Sequence, residues 1–86
     1  MPLSPNWSVT TYTVLPAARV LWCLRRRTTD VRCILYPAAK PIEIQVVQDR
    51  EVVLTEVFQE EWLATNWAKA YAERLKQQGW RDSPGA

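Results

Sequence analysis

Arg25-Arg26-Arg27 is the densest run of chemistry-bearing side chains in the chain, with Arg19 before it and Arg32 after it. Guanidinium groups hold phosphate oxygens through paired hydrogen bonds, and an aromatic ring beside them gives a base a surface to stack on. Arg25 and Arg27 fall on one face of a strand, with Arg32 approaching them across a hairpin. Together with Arg26, Trp22 and Tyr36 they form a candidate contact for phosphate or single-stranded nucleic acid. The competing expectation is a solvated hairpin tip, paired with Asp30 and Glu43, whose charges discourage strand edges from associating. Nucleic-acid grooves use several phosphate contacts, which favours the solvated tip.

The remaining reactive groups exclude more than they offer. The chain has two cysteines and no histidine. It therefore lacks a Ser-His or Cys-His nucleophile pair and an imidazole base, and two Cys cannot complete a four-ligand zinc site. Glu60-Glu61 read as helix N-terminal charges, and Glu51 and Glu56 as strand-surface residues, since no spacing marks them as an acid/base pair. The only glycines are Gly79 and Gly85, so a Gly-rich phosphate loop is missing. The expectation is a protein that is not an enzyme and carries no cofactor or metal. Cys23 and Cys33 fall in neighbouring predicted strands. Buried reduced thiols acting as small apolar groups are favoured there over a cross-strand disulfide or a reactive thiol.

The elements that must position these groups follow from periodicity. Eighty-six residues with 48% hydrophobic content and five Trp make one small domain. A net charge of +2 and a pI near 8.7 leave its partner undecided. Four short apolar runs, Arg19 to Arg26, Val31 to Tyr36, Ile42 to Gln48 and Val52 to Phe58, are parted by polar turns and predict an antiparallel meander. From Glu60 to Gln78 the residues Leu63, Trp67, Tyr71 and Leu75 recur every four positions, an apolar stripe at helical period. Gly79-Trp80 ends this helix with the left-handed glycine and fold-back hydrophobe of a Schellman cap, Trp80 returning to Leu75. Trp62 lies off the stripe; packing at its flank is favoured, with a partner contact next.

The predicted fold is α+β, a three- to five-stranded antiparallel β-meander with one C-terminal α-helix packed across one face. Residues 1–18 form an extension, edge strand or swapped arm, 19–80 the ββββα domain, and 81–86 a disordered tail. One helix covers one sheet face, which leaves Leu21, Cys23, Ile34, Tyr36 and Val47 on the other. That set is too apolar to leave wet, so it is the candidate dimer face of a homodimer, with a further protein partner as an added expectation. Met1 to Asn6 lacks a basic n-region, and the longest apolar run is far below the roughly 20 residues of a membrane span. A cytoplasmic, reducing setting with no membrane partner is therefore expected.

Leu21-Trp22-Cys23-Leu24-Arg25, Val31-Arg32-Cys33-Ile34-Leu35, Asp49-Arg50-Glu51, Val57-Phe58 and Gly79-Trp80 together resemble a family of short, uncharacterised bacterial proteins. That family has two paired strands, an Asp-Gly-Glu-like hairpin, a run ending in Phe and a helix closing in Gly-Trp. The resemblance spans about two-thirds of the chain and implies the meander-plus-helix fold without an activity. Arg50 stands here where the family has Gly, so the resemblance leaves a primed turn at that hairpin unsupported. At the level of fold plan alone, a four-stranded sheet followed by a helix in a dimer is similar to Whirly-type and transcriptional-coactivator-type single-strand binders.

Overall fold

The computed structural model describes residues 18–37 and 40–83. The order is β1 (Arg19–Arg26), β2 (Thr29–Tyr36), β3 (Ile42–Gln48), β4 (Glu51–Phe58), α1 (Glu61–Gln77) and β5 (Arg81–Asp82). All neighbours are antiparallel in one sheet ordered β4-β3-β2-β1-β5, so the architecture is α+β, a meander with one C-terminal helix packed on it. Of the expected N-terminal extension, residues 1–18, all but residue 18 lie outside the described residues.

Short connections dictate the meander. Arg26 pairs with Thr29 and Gln48 with Glu51, so two residues close each of these hairpins. Asp49 and Arg50 have φ of 48° and 78°, the sign pattern of a primed turn, whose twist matches that of the flanking strands. The primed turn thus forms even with Arg in the glycine position, and Arg50 carries the backbone strain. Arg27 has φ 59° and sits in the first turn. The strand ends at Arg26, so Arg27 does not share a strand face with Arg25.

The helix packs differently from its predicted stripe. Ala64, Ala68 and Ala72 are its buried residues, whereas Trp67, Tyr71 and Leu75 are half-buried and Leu63 is exposed. Alanines one turn apart form a flat line that can lie close against the sheet, which pushes the large side chains to the flank. There the rings pack on one another: Trp67 stacks on Tyr71 at 5.1 Å between ring centroids, and the tilted pairs Phe58–Trp67 at 5.9 Å and Tyr71–Trp22 at 6.2 Å extend the row. Trp22 reaches under the helix, where its Nε1 donates to the Ala68 carbonyl at 2.9 Å. Cys33, Leu35, Ile42 and Ile44 lie beneath Ala64 and Ala68; Leu24, Val31 and Val46 lie with Ala72 and Trp80.

The helix ends in the predicted cap. Gly79 holds φ +99°, its N–H donates to the Lys76 carbonyl at 3.1 Å, and the Trp80 N–H donates to the Leu75 carbonyl at 3.1 Å. Trp80 is buried against Leu75, and the Arg26 guanidinium lies over its ring at 4.8 Å. The residues after the cap correct the expectation of a disordered tail from Arg81 onward. The turn aims the chain back along β1, where Leu24 pairs with Asp82 and Arg25 with Arg81, and the Ser83 N–H donates to the Cys23 carbonyl at 3.0 Å.

Candidate functional site

The sheet has one face under the helix and one open face. Register places the open-face residues of the long strands in three rows. The central row is Val20, Ile34, Gln45 and Thr55; one flanking row is Cys23, Arg32, Val47 and Val52; the other is Tyr36, Glu43 and Val57. Beyond the Arg32 row, at the hairpin tips, Arg25 stands between Asp30 and Arg81.

Two β-bulges decide this membership. One lies between Val20 and Trp22, and it turns Leu21 toward the helix side, where it packs against the cluster of Cys33, Leu35 and Ala68. Leu21 is thereby separated from Cys23, Ile34, Tyr36 and Val47, and Val20 takes its place on the open face. The other bulge is at the β3/β4 pairing, where Val46 faces Leu54 but Val47 faces Val52, leaving Val53 as the extra residue. In an unbroken strand Val52 and Val57 point to opposite faces; the bulge brings both to the open one.

The result is an apolar surface that the helix does not touch. Val20 is 49% exposed, Val52 48% and Val57 57%, each high for a large apolar residue on a sheet. Ile34 and Tyr36 are half-buried, and Val47 is buried among its neighbours. Trp62, 62% exposed on the first turn of α1, does not pack at the helix flank as expected.

The six residues of the candidate phosphate contact are not brought together. Arg25 and Arg32 lie on the open face, Arg26 on the helix side over Trp80 with its NH1 donating to the Gln78 carbonyl at 3.0 Å, and Arg27 in the turn. Trp22 is committed beneath the helix, and Tyr36 lies a row beyond Ile34, at the far end of the face. Arg25 binds both carboxylate oxygens of Asp30, at 2.8 and 3.0 Å, and this pairing holds the Asp30 carboxyl below its ordinary range. Asp30 is pinned in turn by its N–H donating to Asp49 Oδ1 at 3.0 Å. Arg32 and Arg81 have no ion-pair partner among the described residues, whereas Arg19 pairs with Glu61 and Lys40 with Glu60 at the other end. Arg81 is the member that sequence reasoning missed, because the return of the chain beyond Trp80 depends on the cap and on a free edge of β1.

Cys23 and Cys33 face opposite sides of the sheet, since Cys33 is opposite Trp22 and Cys23 opposite Arg32. Both thiols are free, and this geometry rules out the cross-strand disulfide. Burial pushes the Cys33 thiol up to about 12, and it raises Cys23 as well, with Arg32 opposing the shift. No charged side chain is buried among the described residues, and these include no group of three or more His, Cys, Asp or Glu able to hold a metal. No described helix is long and apolar enough to cross a membrane. Comparison with known family models, curated proteins and solved structures returns no match to this chain.

Proposed function

We propose that this domain is a small non-enzymatic interaction module that acts as a homodimer through the open face of its sheet. The supporting observation is the exposure of Val20, Val52 and Val57 beside Ile34 and Val47, on a surface the helix leaves bare. Four long strands spaced about 4.8 Å apart, each about 25 Å long, offer about 500 Å² per copy. Two such faces bury about 1,000 Å², the lower end for a specific interface, so the dimer is concentration-dependent. The domain is further proposed to be cytoplasmic, which suits two thiols that cannot pair, and to belong with the short bacterial proteins that share its strand order and Gly-Trp cap.

Light scattering across a wide concentration range tests this reading. The full chain is expected to reach twice the monomer mass, and Ile34→Lys, at the centre of the face, to leave a folded monomer. A monomer at every concentration overturns the reading. The same measurement without residues 1–17 is expected to keep the dimer.

A second reading rests on Arg27 and Arg32, which have no carboxylate partner among the described residues. It is single-stranded nucleic-acid binding at the hairpin-tip end of the face. Its mark is salt-sensitive binding to an oligonucleotide that is lost in the Arg25→Glu, Arg27→Glu variant; no binding at low salt overturns it.

A further inference from the structure

The open face is polarised along its strands. Arg32 stands in one flanking row and Glu43 in the other, on adjacent strands four residues of β2 apart, since Tyr36 is the residue opposite Glu43. Neither has an ion-pair partner among the described residues; the Glu43 carboxylate accepts only from Gln45 Nε2, at 2.8 Å. Exposed valines occupy both flanking rows, Val52 in the row of Arg32 and Val57 in the row of Glu43.

A closed dimer of stacked sheets needs a two-fold axis lying between the two faces. If that axis runs along the strands, between β2 and β3, each row lies over itself with its strands exchanged: Arg32 lies over Val47 and diagonal to Arg32 of the second copy, and Glu43 over Tyr36 and diagonal to the second Glu43. If it runs across the strands, the rows exchange. Arg32 then lies over Tyr36 and beside Glu43 of the second copy, Val52 meets Val57, and Ile34 lies on the axis over its own mate. The first arrangement gathers like charges in the same row and gives neither an opposite partner; the second satisfies both unpaired groups, puts a guanidinium over an aromatic ring and covers the exposed valines with each other.

We infer that the homodimer is a two-sheet sandwich with reversed strands, held in register by reciprocal Arg32–Glu43 pairs across the two-fold axis. This inference rests on the open-face homodimer proposed above. The partner is a second copy of the chain because the face is complementary to itself in charge and in the placing of its exposed valines.

Sedimentation equilibrium on single variants and their mixture tests the arrangement. Arg32→Glu alone and Glu43→Arg alone are each expected to raise the dimer dissociation constant about tenfold or more, since each sets like charges against one another in both contacts. An equimolar mixture of the two variants restores a complementary pair at both contacts of the heterodimer and is expected to recover nearly wild-type association. The double variant, complementary within its own homodimer, is expected to do the same. Circular dichroism of each variant checks that the exposed substitutions leave the fold intact. Single variants that dimerise like wild type overturn the reversed-strand register while Ile34→Lys still reports on the open face. Weakened singles without recovery in the mixture or the double variant also overturn it. A wild-type chain that never dimerises overturns the homodimer itself.

Discussion

Two residues with positive φ carry opposite consequences. Gly79 at φ +99° closes the helix, and a Cβ there meets only Arg26 Cδ at 3.7 Å, an ordinary contact. The cost of Gly79→Ala is therefore one of backbone conformation, about 1–2 kcal/mol, read as a lower denaturation midpoint with an unchanged m-value. Arg50 at φ 78° is an exposed side chain in a glycine position. Arg50→Gly is expected to stabilise by about 0.5–1 kcal/mol in the same assay, because relief of the left-handed strain exceeds the added chain entropy. Asp30 sets an acid limit. Its folded carboxyl titrates below its ordinary value because Arg25 binds the ionised form, so its contribution is present above the unfolded pKa and lost as pH falls through the folded one. Thermal unfolding between pH 6 and pH 3 should therefore fall less steeply in Asp30→Asn, below about pH 4, than in the wild type. The thiols separate in the same way. A thiol reagent at pH 8 is expected to modify Cys23 slowly and Cys33 only on unfolding, since Cys33 is fully buried and its thiol is pushed up to about 12.

At the scale of elements, the small residues of the helix matter more than its large ones. Ala68 is buried against the sheet, above the Trp22 indole that donates to its carbonyl, where side chains sit at interior density. Ala68→Leu is expected to cost about 1–3 kcal/mol by overpacking, whereas Leu63→Ala, at an exposed position, should fall within about 0.5 kcal/mol of wild type. Equilibrium denaturation of the pair checks this; the reverse order would mean that the stripe of large residues, not the alanine line, faces the sheet. The bulges act at the same scale. Each shifts the inside–outside alternation of an eight-residue strand by one position, and so chooses which apolar side chains reach the open face.

At the scale of the whole molecule, one layer of helix cannot cover two faces of a sheet. If the open face is completed by a second copy, folding and association are linked, and the melting temperature should rise with protein concentration in the wild type but not in Ile34→Lys. A melting temperature independent of concentration in both would count against the homodimer.

Strand alternation, short polar turns and the Gly79-Trp80 stop are local signals, and they suffice for the meander, the helix and its cap. They also suffice to place Cys33, Ile44 and Val46 inward, because period-2 alternation is a property of the chain itself. The composition of the open face is different. Val20 replaces Leu21 there, and Val52 joins Val57, only because bulges form where β1 meets β2 and where β3 meets β4. The Arg cluster divides for a related reason: Arg27 is taken by the turn, Arg26 by Trp80 across the helix end, and Trp22 by the Ala68 carbonyl. The alanine line and the β5 return depend on which surfaces are close enough to meet. Register shifts and the distance between a helix and its sheet are relations between segments far apart in the chain, and no local period encodes them.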